Sequence, residues 1–372
     1  MHAIHSSLDN IKSTQLERTG YLMINSCEIS NFRCFKELKL GGLRRFNIIV
    51  GESGSGKTAL LEALFLVGGG SPEVYLRLRK WRGYGDTIRL TGTRGSYESI
   101  FRDLFYSLNQ SAEARLKIQD SVSGTRSLVI SYSGQEQYNV PLRRTIDNVF
   151  LVDPIRFHWT AGKKSFESKV QIKDGGINIA GFGDVYPAWL ISPAIGGENY
   201  AQHFSDLSKK GKARPLIDAL KLQFPYIKDV TLESLVGELM LYVSVEQLDE
   251  KIPIGLLSAG MNKYLWILIA IASSPGGVVL IDEIENGFYY KSLTPFMRSI
   301  YSFCEEQNVQ LIASTHSYEL LQSIIPLFDE DESREERFTL LRAERERRDS
   351  HIKLIRGSSY RAAIEEHFEV RG

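Results

Sequence analysis

Residues 44–67 read RRFNIIVGESGSGKTALLEALFLV, and no other stretch restricts the fold as much. Ile48, Ile49 and Val50 form a β-branched run that suits a strand buried on both faces. In TALLEALFLV (58–67), Leu60, Leu61, Leu64 and Leu66 suit a mostly buried helix. Gly68, Gly69, Gly70 and Pro72 then stop it. Between strand and helix lies GESGSGKT (51–58), a match to G-x-x-x-x-G-K-[ST] in the context that this motif requires. Gly51, Gly54 and Gly56 let backbone N–H groups turn inward around phosphates, and the helix adds its positive N-terminal end. Lys57 reaches the β- and γ-phosphates, and the Thr58 hydroxyl suits Mg²⁺. With Ser53, Ser55 and Ala59, these residues form the expected nucleotide cradle.

Two further strand ends complete such a site. GGVVLIDEIENG (276–287) is an apolar strand ending in Asp282, placed to hold Mg²⁺ directly or through water. Glu283 follows and is the candidate general base for the attacking water. QLIASTHSYEL (310–320) ends in Ser314, Thr315 and His316, and His316 is placed to donate to a γ-phosphate. GLLSAGMNKYLWIL (255–268) puts Ser258 at the N-cap of an apolar helix, with its hydroxyl and the free N–H groups facing outward.

The order of these elements is P-loop, L-S-x-G, acidic strand end, strand-end His. It resembles that of the ATP-binding-cassette (ABC) ATPases. The resemblance implies ATP and Mg²⁺ as ligands. It also implies that Ser258 and Gly260 complete the site of a second copy, so the assembly is a homodimer or higher oligomer. CEISNFRCFKELKL, IDEIENGFYY and ASTHS are similar to the RecF/OLD-like branch, which includes stand-alone ATPases. The likeness spans most of residues 23–371, with its specific motifs in 24–67, 255–290 and 309–320. In related heads the Arg of N-F-R lies near the phosphates, which implies that role for Arg33. Asn286 and Gly287 take the place of the loop that meets the partner's P-loop. Relatives of this kind are often paired with a separate nuclease or toxin effector in bacterial anti-phage systems. Glu52-Ser53 stand where many relatives have Pro-Asn, and Tyr289 where many have a small or His-containing turn. Gln135, Gln137 and Gln171 compete for the glutamine loop. Chains of the OLD type often carry a Toprim nuclease after the head. Here the acidic FDEDE (328–332) reads as a solvated loop instead. A long coiled-coil arm is excluded, because no extended heptad run separates the P-loop from Ser258.

The remaining chain reads as one head over 23–371, preceded by a loose extension, 1–22. The fold class is α/β, a P-loop NTPase of ABC type. Its mostly parallel core carries an antiparallel β lobe and a helical insertion between 71 and 250. Residues 160–200 read as irregular, and PLIDALKLQF (215–224) and TLESLVGELMLYVS (231–244) as helical. Beyond 257 the pattern gives helix 258–273, strand 277–281, helix 291–307, strand 309–313 and helix 317–325, then a hairpin and a short helix.

With 45 basic and 45 acidic residues the net charge is zero, which argues against a chain devoted to coating nucleic acid or an anionic membrane. Three scattered cysteines form no Cys-x-x-Cys pair, so neither a zinc hook nor a disulfide framework is indicated, and a cytoplasmic setting fits. The apolar run Tyr264 to Ala272 is too short to span a bilayer, and the polar N-terminus is no secretory signal.

DNA or RNA contact rests on YLRLRKWRGYG (75–85), where Arg77, Arg79, Lys80 and Arg82 alternate with Tyr75, Trp81 and Tyr84. The favoured reading of that stretch is a β-hairpin with a solvated basic face. LSKKGKARP (207–215) reads as a basic loop. Three functional readings follow: an ATP-driven dimer that controls an effector, an ATP-held scaffold in which turnover matters little, and a RecF-like DNA clamp.

Overall fold

The structure, a computed structural model, describes residues 21–82, 100–132, 155–173, 176–181, 183, 186–193, 200–235, 237–356, 360–362 and 364. The core sheet contains β3 (Phe46–Val50), β9 (Ala188–Ile191), β13 (Val278–Ile281), β14 (Gln310–Ser314), β15 (Phe338–Glu346) and β16 (Asp349–Arg356). Their order is β16-β15-β3-β14-β13-β9, with all neighbours parallel except β15 and β16. Side chains of a strand alternate between faces, and both faces of this sheet are covered. Ile48, Val50, Val279, Ile281, Leu311 and Ala313 belong to one core. Ile49, Val278, Leu280 and Ile312 belong to the other.

The first core is closed by five helices: α3 (Tyr200–Lys209), α4 (Ala213–Gln223), α5 (Ala259–Ser273), α6 (Leu293–Gln307) and α7 (Tyr318–Glu330). Helix α5 is buried nearly all round, which explains its unbroken apolar sequence after Lys263. The second core is closed by α1 (Lys57–Gly68), α2 (Glu73–Trp81) and an antiparallel sheet. That sheet holds β1 (Ile24–Phe32), β2 (Phe35–Gly41), β4 (Ala114–Asp120), β5 (Gly124–Tyr132), β6 (Ile155–Ala161), β7 (Lys164–Lys173) and β8 (Gly176–Ala180), in the order β2-β1-β4-β5-β6-β7-β8. A smaller sheet, β10 (Ile227–Leu235), β11 (Glu238–Val245) and β12 (Ile252–Pro253), packs beside the helices.

Gln310 joins lobe and core. Its amide accepts from Ile24 N at 2.8 Å and donates to Ile24 O at 2.9 Å and Arg44 O at 2.8 Å. At 2 % exposure, losing these bonds would strand buried backbone groups. Leu22 is already part of the fold, buried and bonded through its N–H to Gly276 O, while residues 1–20 lie outside the described residues.

Four sequence expectations are corrected. Residues 160–200 are not irregular throughout: they carry the end of β6, all of β7, β8 and β9, and the start of α3. In β7 the polar run Lys164, Ser165, Glu167, Ser168 and Lys169 leaves little apolar period to read. Residues 231–244 are not helical but lie in the β10–β11 hairpin, which turns at Gly237 with φ +85°. Here cross-strand packing of Val230, Leu241 and Val243 overrides the helix-favouring Leu, Glu and Met. Residues 75–81 are not a hairpin but belong to α2. Phe328, Asp329 and Glu330 lie in the last turn of α7 rather than in a loop.

Candidate nucleotide site

The P-loop runs from the end of β3 to α1, and its glycines have positive φ: 142° at Gly51, 79° at Gly54 and 106° at Gly56. A Cβ at Gly51 would lie 2.1 Å from the Ala343 carbonyl of β15, so the position excludes side chains for two reasons. Ser53 is exposed, while Ser55 and Ala59 are buried. The Ser55 hydroxyl lies over Gly51 and has no hydrogen-bond partner among the described residues. Lys57 turns across the loop and donates to Gly51 O at 2.7 Å and Glu52 O at 2.8 Å. Burial pushes its pKa down, and Asp282, Glu283 and Glu285 oppose that shift.

Strand order brings the rest together, because β14 lies between β3 and β13. Thr58 Oγ1 donates to Asp282 Oδ2 at 2.9 Å. Ser314, at the end of β14, donates to Asp282 Oδ1 and accepts from Glu283 N at 2.9 Å. Hydroxyl and carboxylate are hard oxygen donors, the set Mg²⁺ prefers, and that ion ordinarily takes few ligands from protein. Among the described residues no cluster of three or more His, Cys, Asp or Glu side chains could hold a metal without such help.

Glu283 is half-buried with φ +50°, a strained value for a residue with a Cβ. Its carbonyl accepts from Asn286 N at 3.0 Å and from the ammonium of Lys263. His316 N donates to Glu285 Oε1 at 2.8 Å, while Glu285 Oε2 is buried and unpartnered among the described residues. Lys263 faces Glu285, Glu283 and Asp282, yet burial pushes its pKa down to about 8.

Lys263, Glu285 and Ser314 are the residues that sequence reasoning missed. A lysine at the start of a buried apolar helix, and a second glutamate in DEIE, were the available signals.

The structure does not bring Arg33 to the P-loop as expected. Its guanidinium is buried against Glu62 Oε2 at 2.7 Å and Asp103 Oδ2 at 3.3 Å. Glu62, on α1, also binds Arg82 at 2.7 Å, and Asp103 binds Arg79 at 3.6 Å. Half of the basic stretch thus serves an internal ion cluster. Trp81 ends α2, and Tyr84 lies outside the described residues. It is Cys34 that meets the P-loop, with Sγ 3.0 Å from where a Gly56 Cβ would stand. Gln135 and Gln137 lie outside the described residues, and Gln171 pairs with Asn178 between β7 and β8.

Ser258 caps α5, accepting from Met261 N at 3.2 Å, and is exposed. Gly260 packs on the loop after Glu283, where a Cβ would sit 2.2 Å from Gly287 O. Around this tip Leu256, Tyr289 and Tyr290 are exposed at 74 %, 61 % and 54 %. Single exposed apolar residues are ordinary, but three beside one helix tip are a candidate contact surface.

Residues 46–322 match the AAA_21 family, described as "AAA domain, putative AbiEii toxin, Type IV TA system". The chain belongs to this family. It is an ABC-type P-loop ATPase. It is 24 % identical over 337 residues to an ATP/GTP phosphatase of Helicobacter pylori, covering 81 % of this chain and 87 % of that protein. A 49-residue segment is 47 % identical to the DNA replication and repair protein RecF of Idiomarina loihiensis, covering 13 % of this chain and 14 % of RecF. The fold also aligns with an Smc head bound to the C-winged helix domain of ScpA, at TM-score 0.49 and 14 % identity, over 90 % of this chain and 98 % of that one. Among the described residues of this AAA-domain protein, no helix is long and apolar enough to cross a membrane.

Proposed function

We propose that this ATPase works as a homodimer, or as a higher assembly of such pairs, with two composite sites. Each P-loop binds ATP and the Ser258 tip of the other copy closes over it. The observation that carries the reading is an asymmetry within one chain. The P-loop, Asp282 and Ser314 are knit together by side-chain bonds, whereas Ser258 makes no hydrogen bond to its own P-loop among the described residues.

In this reading the Lys57 ammonium leaves the Gly51 and Glu52 carbonyls for the β- and γ-phosphates. Gly51, Ser53, Gly54, Ser55, Gly56 and Ala59 form the cradle. Thr58 and Asp282 would hold Mg²⁺, which would supply charge neutralisation at the phosphates. Glu283 orients and deprotonates the attacking water, and His316 donates to the γ-phosphate. Ser258 and the N–H groups of the α5 tip, including Gly260, contribute donors from the other copy. ATP favours the closed pair because it binds closed far better than open, and hydrolysis releases it.

The family description, with its toxin–antitoxin wording, supports control of a separate protein effector, a nuclease or a toxin, in cytoplasmic anti-phage defence. The short RecF match supports a nucleic-acid role only weakly, because Arg79 and Arg82 are engaged with Asp103 and Glu62.

Light scattering on Glu283→Gln with and without ATP–Mg²⁺ tests the pairing. The expected result is a doubling of mass on adding ATP, abolished by Ser258→Arg while ATP binding persists. If the protein is oligomeric throughout, nucleotide trapping replaces mass as the readout. Unchanged assembly and trapping in Ser258→Arg would reduce the Ser258 segment to a helix cap.

A further inference from the structure

Lys263 is 7 % exposed, sits in the second turn of α5, and has no part in the chemistry above. Burying an ammonium is costly unless it is bonded and charge-compensated. Its bond goes to a backbone carbonyl, that of Glu283, within a ring of carboxylates from Asp282, Glu283 and Glu285. The peptide it binds is the strained one, with Glu283 at φ +50°. Such a conformation persists only where its surroundings hold it. Here Ser314 holds the N–H side at 2.9 Å and Lys263 with Asn286 N holds the carbonyl side. The same helix touches the same loop again one turn earlier, where Gly260 packs on Gly287. The helix that carries Ser258 is therefore fastened to the turn that carries Glu283 at two points.

We propose that Lys263 is a positioning residue for hydrolysis: it holds the Glu283 peptide in its left-handed conformation and ties it to the helix whose tip serves the other copy's nucleotide. This rests on the assignment of Glu283 as the base. A γ-phosphate drawn onto Ser258 in one site then acts on the orientation of Glu283 in the other through Lys263. Lys263 bonds the Glu283 carbonyl and makes no hydrogen bond to the P-loop among the described residues, so it governs the rate of the chemical step and not ATP affinity.

The test is a double-mutant cycle on the full chain, with single-turnover hydrolysis and ATP-analogue binding measured for Lys263→Met, Lys263→Arg, Glu283→Gln and the double variant Lys263→Met/Glu283→Gln. Lys263→Met should lower the single-turnover rate about 10- to 100-fold with ATP affinity within about twofold, the signature of lost orientation rather than lost binding. Lys263→Arg, which keeps charge and donor, should recover most of that rate. In the Glu283→Gln background, Lys263→Met should change the residual rate less than about twofold, since the group it positions is gone.

An undiminished rate in Lys263→Met, or an equal loss in both backgrounds, overturns the proposal; the latter marks a purely structural lysine. If Lys263→Met does not fold, Lys263→Gln carries the same test, and a full rate there has the same meaning. Wild-type hydrolysis by Glu283→Gln alone would overturn the base assignment first and the proposal with it. An inactive Glu283→Gln beside a fully active Lys263→Met would overturn only the proposal.

Discussion

The P-loop floor and the Ser258 tip are built in opposite ways. At the floor, Thr58 and Ser314 donate to Asp282, and Lys57 donates to the Gly51 and Glu52 carbonyls, all inside one chain. At the tip, Ser258 and Ala259 are exposed, and Leu256, Tyr289 and Tyr290 present apolar surface to solvent. Buried polar groups left unmatched are costly, which favours a floor bonded within the chain; among the described residues the Ser55 hydroxyl and Glu285 Oε2 there stay unpartnered. A helix tip costs little to leave in water and gains most when an anion is brought to it. One region is bonded within the chain, and the other is open to solvent, as the proposed pairing requires.

Substitutions at the floor should have the largest effect. Lys57→Ala or Asp282→Ala is expected to lower phosphate release by about 10³-fold or more, because the first removes a cation from the transferring phosphoryl group and the second a ligand for Mg²⁺. Ser258→Arg sharpens the comparison from the other side. It should lower hydrolysis about 10²-fold while ATP affinity of the separate chain stays within about threefold, as read by equilibrium binding. Equal loss of affinity would mean that the tip belongs to its own P-loop and that the contrast fails.

Ser314→Ala is intermediate. Its hydroxyl only orients Asp282 and the Glu283 peptide, so kcat should fall about tenfold with little change in KM. The lobe should matter least to the reaction. Arg126 and Asp120 form a buried pair at 3.1 Å with side chains 6 % and 0 % exposed. Arg126→Met should lower stability by about 3 kcal/mol in denaturant unfolding, yet leave the rate per folded molecule unchanged.

The floor was legible from sequence because its chemistry is local. The residues of GESGSGKT follow one another in one turn, and Asp282 and His316 sit at or just past the ends of apolar runs that could only be buried strands. Core strands β3, β13 and β14 followed from the same runs, β13 and β14 within a residue or so of expectation, whereas β9 lay in a stretch read as irregular. What stayed hidden depends on contacts distant in sequence. Lys263 gains meaning only when α5 packs on the loop after Glu283, and Ser314 only when β14 lies between β3 and β13. Arg33 was placed at the phosphates, but Glu62 and Asp103 capture it, and no spacing rule reveals that pairing. In the lobe, the polar run in β7 and helix-favouring residues in β10 and β11 gave a local signal that strand pairing overruled.

The central claim, that the tip serves another copy, is tested most directly by mixing two inactive variants. Lys57→Ala has a defective floor and an intact tip, and Ser258→Arg the reverse. Half of randomly assorted dimers are mixed, and each mixed dimer holds one site with both parts intact, so mixing should restore up to about a quarter of wild-type hydrolysis. If tip and floor of the same chain worked together, every site in the mixture would keep a defect, and the mixed sample would remain as inactive as its components.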